Sequence, residues 1–310
     1  MYFPYLRGRQ FELIALRELI EKSLIGDKVI PIVEPVKMSS TLVKTLTPFV
    51  INSHDIAFIY NPQVGNFDVD LKKEGNEKQI SQLYNLIHQQ NVILTHYLCK
   101  SSKKIIREWK TDDCQIPDIM VITADEDLLP LYTELFEDEI PRYTLIKDET
   151  EFRREVHHNR ILMANKFKKQ SRNTDYAKKE DEPFSNDHLY YKSDGYIGFS
   201  DYSIIGDEYT DTGFAPYAVA IHIVYFDDKS KLRVRHFVSD TNDDISDPAK
   251  KFAEAVEKLV NWNKDVGLDT YGINQLTEMY ETETYPGLGT VKKLCLMHHL
   301  ELMSNFLDKE

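Results

Sequence analysis

Two carboxylates, Glu34 and Asp201, stand where apolar, strand-like runs stop, and Arg7 stands at the same kind of place nearer the N-terminus. Glu34 ends the run Pro31-Ile32-Val33 and is followed by Pro35. A carboxylate that continues a buried run needs a cation or a metal beside it, because a desolvated charge is otherwise very costly. Arg7, one strand earlier, is the natural cation. Asp201 follows Gly198-Phe199-Ser200, where the glycine permits close backbone approach. As a pair, Glu34 and Asp201 suit general acid–base chemistry or hard-oxygen ligation of Mg2+. A structural Arg7–Glu34 ion pair is the alternative to a catalytic role. His96, at the end of another apolar run, suits a general base or a donor to a bound anion, or else a hydrogen-bonded core histidine.

Other strand ends are polar too. They carry Arg9, Asn61, Thr123, Asp125, Lys147, Asp148, Asn165 and Lys166. Polar groups meeting solvent are the plain reading. Arg7, Arg9, Asn61 and Lys166 are the candidates for holding a ligand. Lys166, Lys168, Lys169 and Arg172 form a basic cluster in an acidic chain, which suits an anionic ligand. His222 and His236 fall where a hairpin would set them opposite each other, and His236 is the candidate site member of the two. His157 and His158 read as solvated helix surface. His298 and His299 are neighbours on a terminal helix, where adjacent residues cannot chelate from one face.

The elements that must position these residues alternate. Apolar runs at 3–7, 29–34, 55–60, 91–97, 118–123, 142–146, 160–166 and 196–203 read as strands. Their near-continuous apolar character is that of strands buried on both faces. Amphipathic stretches at 9–24, 39–49, 76–90, 101–109, 126–136 and 149–158 read as the intervening helices. Eight strands separated by helices imply an α/β chain folded as a (β/α)8 TIM-like barrel. The open doubly wound sheet is disfavoured, because no glycine-rich phosphate loop follows the first strand. Residues 167–194 are very polar and read as a long loop after strand seven. Runs 217–226 and 231–238, joined by Asp227-Asp228-Lys229-Ser230, read as a β-hairpin. The stretches 247–262, 272–280 and 290–307 read as helices. The expected organisation is one barrel domain over 1–310, with its core in 1–205 and a hairpin-and-helix extension in 206–310.

Composition bounds the function. The 310 residues carry a formal net charge of −13, from 38 Lys+Arg against 51 Asp+Glu. A field of that sign repels phosphate backbones, so non-specific nucleic-acid binding is not expected. Cys99, Cys114 and Cys295 form no close pair, which suits reduced thiols and argues against a thiolate zinc site. The opening residues hold no apolar stretch of signal-peptide length. The longest mainly apolar run, 217–226, is interrupted by His222 and is about half a membrane span. A cytoplasmic chain with no membrane partner is expected. GxSxG, HExxH and kinase signatures are absent.

The opening Tyr2-Phe3-Pro4-Tyr5-Leu6-Arg7-Gly8-Arg9-Gln10-Phe11-Glu12, continued through Leu16, together with Ile30-Pro31-Ile32-Val33-Glu34-Pro35, resembles the phage-type Beta protein family. There the pattern is similar to Pro-x-Leu-Lys-x-Lys-x-Gly-Glu, then Pro-Leu-Ile-Glu. Arg7 takes a lysine place, Phe11 the glycine place and Glu12 the glutamate place. Phe199-Ser200-Asp201-Tyr202 resembles that family's late Gly-Asp-Tyr segment. The resemblance implies a barrel-like fold and a role in phage–host conflict or a mobile element, beside a nuclease-like partner. The expected function is therefore a barrel that binds a small anion or a protein partner. A free-standing hydrolase or lyase on a phosphorylated or carboxylated substrate is the alternative, with Glu34 and Asp201 as acid and base and His96 assisting. A non-catalytic scaffold is the third reading.

Overall fold

A computed structural model describes residues 1–111, 114–210 and 216–309. Along the chain run β1 (Tyr5–Leu6), α1 (Gln10–Glu21), β2 (Ile32–Val33), α2 (Ser40–Ile51), β3 (Ile56–Ile59), α3 (Phe67–Asp70), α4 (Glu77–Ile87), β4 (Val92–Tyr97), α5 (Ser102–Thr111) and β5 (Met120–Thr123). Then follow α6 (Leu129–Phe136), β6 (Tyr143–Lys147), α7 (Thr150–Glu155), β7 (Arg160–Ala164), β8 (Asp181–Ser185), α8 (Asp187–Tyr190) and β9 (Gly198–Asp201). The chain ends with β10 (Ala220–Phe226), β11 (Leu232–Val238), α9 (Pro248–Val266), α10 (Tyr271–Glu281) and α11 (Leu288–Asp308). Among the described residues, no helix is long and apolar enough to cross a membrane.

The chain divides into two compact units. The first holds residues 1–13, 27–164 and 187–201. Its eight strands are all parallel, in the order β1-β2-β3-β4-β5-β6-β7-β9. The two ends of the sheet meet where Phe3 N–H donates to the Phe199 carbonyl and Phe199 N–H to the Met1 carbonyl. This is the (β/α)8 barrel that the alternation implies. β1 and β2 are short as regular strands because Pro4, Pro31 and Pro35 cannot donate to a ladder. Their carbonyls still accept: Ile32 N–H donates to Pro4 and Ala57 N–H to Pro31, both at 2.8 Å. The ladder therefore continues past the prolines.

The register decides which side chains enter the barrel. In a parallel ladder, paired residues face the same side and neighbours along a strand alternate. Phe3 packs on Tyr143 of β6, across the sheet, at 5.0 Å between ring centroids. A Cβ placed on Gly198 would meet Phe3 Cε2 at 2.6 Å. Phe3 and Gly198 thus mark the interior. Counting on from Phe3 puts Tyr5 and Arg7 inside. The pairs Tyr5↔Ile32, Ile32↔Ala57 and Ala57↔Ile93 carry the same side to Glu34 and Tyr97. Counting on from Gly198 puts Ser200 inside and Asp201 outside.

The second unit holds residues 14–26, 165–186 and 202–310. Its sheet is antiparallel, in the order β10-β11-β8. β10 and β11 form the expected hairpin, with His222 opposite His236. The stretch expected as one long loop after strand seven differs. It contains a 3-10 turn (Asn173–Lys179), the strand β8 and the short helix α8. β8 escapes a hydrophobicity reading because it is an edge strand with Asp181, Glu182 and Pro183 in it, residues that sheet edges tolerate and use. On one face of this sheet, Trp262 of α9 packs on Tyr225 and Phe237. α11 covers the other, where Phe306 packs on Phe226.

α11 carries both of its adjacent histidines buried. His298 Nε2 lies 2.7 Å from the Val224 carbonyl, and its Nδ1 lies 2.8 Å from Thr270 Oγ1. The ring therefore donates to the carbonyl and accepts from the hydroxyl, as a neutral imidazole. His299 Nδ1 is paired with Ser203 Oγ at 2.6 Å. These are core histidines, with separate partners.

The close packing at Gly198 gives a test of barrel closure. Gly198→Ala adds one carbon against Phe3 and the Met1 carbonyl and is expected to cost about 1–3 kcal/mol. Urea unfolding followed by Trp fluorescence would measure it; an unchanged midpoint would mean that the first and last strands are not in this register.

Candidate functional site

In (β/α)8 barrels the reactive or ligand-holding groups gather at the C-terminal ends of the strands. Here the interior parity places Arg7, Glu34, Tyr97 and Lys147 at that end, and the first three act on one another. Glu34 is fully buried. Its Oε2 accepts from Tyr5 Oη at 2.8 Å and from Arg7 Nη1. Its Oε1 accepts the Gln63 backbone N–H at 2.7 Å. Three donors on a carboxylate offset much of its desolvation. The Arg7 backbone N–H donates to Glu12 Oε2 at 2.9 Å, and Glu12 is itself buried. Arg7 also lies over the Tyr5 ring, 5.2 Å from its centroid. Its side chain is 11% exposed.

The turn after β1 makes this possible. Gly8 has φ +61, and a Cβ there would stand 2.8 Å from the Glu34 carbonyl. Only glycine takes that conformation and that approach without strain. The turn lets α1 start at once, so Glu12 in its first turn can reach back to Arg7 N–H. A carboxylate there is also favoured by the helix macrodipole.

Tyr97 adds a phenol to the mouth. Burial raises its pKa first; the charges of Glu34 and Asp125 raise it further and Arg7 opposes them. The phenol thus stays protonated and available as a donor at neutral pH. The sequence points instead to His96, one residue earlier. Alternation gives Tyr97 the parity of Ile93, but only the barrel register shows that this parity faces inward.

His96 accordingly leaves the site. It points away from the interior, fully buried, with Nε2 2.7 Å from Ser102 Oγ and its ring edge-on to Trp109 at 5.5 Å. Burial alone pushes its pKa down to about 4. Ser102 Oγ also accepts the Cys99 N–H, so His96 helps start α5. Asp201 leaves the site for the same reason. Its Oδ1 accepts from Tyr2 Oη at 2.8 Å on the outer face of the barrel wall, where Tyr2 stacks on Phe199. Glu34 and Asp201 thus lie on opposite faces of that wall. The structure does not bring them together as an acid–base pair or as ligands of one Mg2+ ion. Among the described residues, no group of three or more His, Cys, Asp or Glu is arranged to hold a metal.

Asn61 is engaged by the backbone. Its Nδ2 donates to the Tyr97 carbonyl at 2.7 Å and its Oδ1 accepts the Tyr97 N–H at 2.8 Å. It extends the β3–β4 ladder and fixes Tyr97. Arg9 is half-buried just ahead of α1, and its carbonyl accepts the Leu13 N–H. Lys166 and His236 belong to the second unit. Lys166 is half-buried there, and His236 is buried beside His222. The basic cluster near Lys166 is locally paired: Lys169 with Glu208 at 3.0 Å, and Lys168 with Glu182 at 3.6 Å. The chain matches no protein-family model, no curated protein and no solved structure.

Two outcomes follow from this geometry. Glu34→Gln keeps one acceptor oxygen, sets an NH2 against the donors on the other side, and leaves the Arg7 cation without its counter-charge; it is expected to lose about 3–5 kcal/mol in urea unfolding. The double variant Arg7→Met/Glu34→Leu should recover much of that loss; strict additivity of the two changes would show that the pair is not coupled. His96 is neutral when folded (pKa about 4) but charges near 6.5 when unfolded. Its contribution is complete above about pH 6.5 and is lost as pH falls towards 4, in total about 3 kcal/mol. The stability gap between wild type and His96→Gln should therefore narrow over that range, whereas a constant gap would rule out the buried neutral imidazole.

Proposed function

We propose that the protein is a ligand-binding barrel, with a small anion received at the Arg7 edge of the barrel mouth. The observation that carries this reading is the Arg7–Glu34 arrangement. A buried ion pair adds little stability over a well-packed apolar pair, so stability alone is a weak reason for one here. What the arrangement does supply is a guanidinium fixed in orientation, partly exposed, and flanked by the Tyr97 phenol. A planar cation held in this way suits carboxylate or phosphate. In a chain of net charge −13, a local cation of this kind is selective for a small anion over a long polyanion.

The setting we propose is phage–host conflict or a mobile element, alongside a nuclease-like protein partner. Its support is the resemblance to the phage-type Beta protein family. The residues on which that resemblance rests meet in one network: Arg7 with Glu34 through the side chain, and with Glu12 through the backbone. We place the protein in a reducing cytosol, in keeping with its free cysteines. The acid–base reading has no support from the placement of Glu34 and Asp201, so binding is preferred to hydrolysis.

Native mass spectrometry of the protein purified gently from its own host tests this. A co-purifying small anion is expected on the wild type and should be absent from Arg7→Met/Glu34→Leu, which removes both charges together. An empty wild-type protein carrying only a stoichiometric protein partner would remove the ligand reading and leave the scaffold.

A further inference from the structure

The second unit holds a chain of three side chains that the barrel mouth does not use. His222 and His236 are cross-strand partners, so their rings share one face of the sheet. Glu182 of β8 stands opposite Val234, two residues from His236 along β11, and so lies on that face as well. His222 Nδ1 is 2.8 Å from His236 Nδ1. His236 Nε2 faces Glu182 Oε1 at 3.5 Å. Glu182 is buried, and Lys179 and Lys168 stand 2.8 and 3.6 Å from its Oε2. Burial works against its charge, but the two lysines and His236 outweigh it and hold the carboxyl below its ordinary range.

At 3.5 Å that carboxylate acts through its charge rather than through a formed hydrogen bond, and it favours a proton on the His236 nitrogen that faces it. It can only accept, so His236 carries its proton on Nε2 and accepts at Nδ1. His222 must then donate from Nδ1. A neutral His222 is left with a lone pair on Nε2. Both rings are neutral at pH 7. Burial lowers the pKa of His222, with His236 and Lys292 adding to it, and burial lowers that of His236 against the pull of Glu182.

His222 lines a cavity of about 260 Å3 together with Lys169, Gln170, Asn173, Val291 and Lys292. Tyr176 and Phe167 pack against its ring, at 4.5 and 5.1 Å between centroids. Because Nδ1 is turned to His236, the opposite edge, bearing Nε2, is the one presented to the cavity. An acceptor, two side-chain amides and two lysines thus line one small space with an apolar wall. That combination suits a ligand of mixed character: one hydroxyl to donate and one negative charge to be held.

We propose that this cavity binds a small hydroxylated anion, whose hydroxyl donates to His222 Nε2 while Lys292 holds its charge together with Lys169, which the anion would share with, or take over from, Glu208 at 3.0 Å. Glu182 and His236 are positioning residues, since they act by fixing the tautomer of His222. The inference is independent of the barrel mouth and survives if that reading fails.

Long-range 15N–1H NMR of histidine-labelled full-length protein at pH 7.5 reads the tautomers directly. His222 is expected with a protonated Nδ1 and a bare Nε2, and His236 with the reverse. Glycerol phosphate (the phosphate arm) or glycerate (the carboxylate arm) should then shift the His222 Nε2 resonance. Propyl phosphate, which lacks the hydroxyl, should not. Glu182→Gln should mix the His222 tautomers. Gln170→Trp, a substitution at an exposed loop position on the cavity wall, should leave the tautomers alone and abolish the ligand shift. A protonated Nε2 on His222 in the wild type would overturn the proposal. So would the expected tautomers with no response to either hydroxylated anion.

Discussion

The barrel mouth depends on one buried carboxylate. Glu34 has no access to water, and its charge is tolerated only because three donors converge on it. The donors come from two separate parts of the chain. Tyr5 and Arg7 are two residues apart on the first strand, which puts them on one side of it. The Gln63 N–H comes from the segment after β3. Satisfying Glu34 therefore fixes the relation of three consecutive strand ends. Gly8 and Glu12 are secondary to it: the glycine lets the chain turn past the Glu34 carbonyl, and Glu12 captures the Arg7 N–H that the turn leaves over. The Arg7 cation is thus held by its own network, and on the proposed reading such a preorganised cation would lose less on binding than a mobile one.

Parity, more than proximity in sequence, sorts the polar strand ends into the interior and the wall. A one-residue difference exchanges faces. Tyr97 and His96 are neighbours, yet one feels Glu34 and Arg7 while the other packs against Trp109. Ser200 and Asp201 divide in the same way. The outward residues are used in the wall. His96 holds Ser102 at the start of α5, and Asp201 receives the Tyr2 hydroxyl where the barrel closes. The phenol of Tyr2 is raised well above its ordinary range by burial and then by Asp201, so it remains a donor.

This division explains what the sequence made legible. The eight buried strands were readable because both faces of each are apolar, which needs no knowledge of register. Arg7 and Glu34 were readable as a pair because a charge ending an apolar run demands a partner and the adjacent strand offered one. The face of His96 and Asp201 was not readable from the run alone, since an all-apolar strand gives no alternation to count. It emerges only once Phe3 and Gly198 mark the inside. β8 was hidden for the opposite reason: its residues are those of an edge strand, and its partner β11 lies far along the chain. The facing of His222 and His236 was legible because a short hairpin fixes its own register.

The same physical device serves both units, with opposite results. In the barrel, buried Glu34 meets a guanidinium, which has only donors, and so orients a donor towards the mouth. In the second unit, buried Glu182 meets an imidazole, which has one donor and one acceptor. The polarity set at His236 passes through a second imidazole and reappears as an acceptor on His222. A carboxylate can thus specify either sign of hydrogen-bonding group at a distance, according to whether an all-donor guanidinium or a neutral imidazole stands next to it. A group with both a donor and an acceptor is needed at each step. Replacing His236 with an apolar residue would leave Glu182 no path to His222, however well the substitute packed.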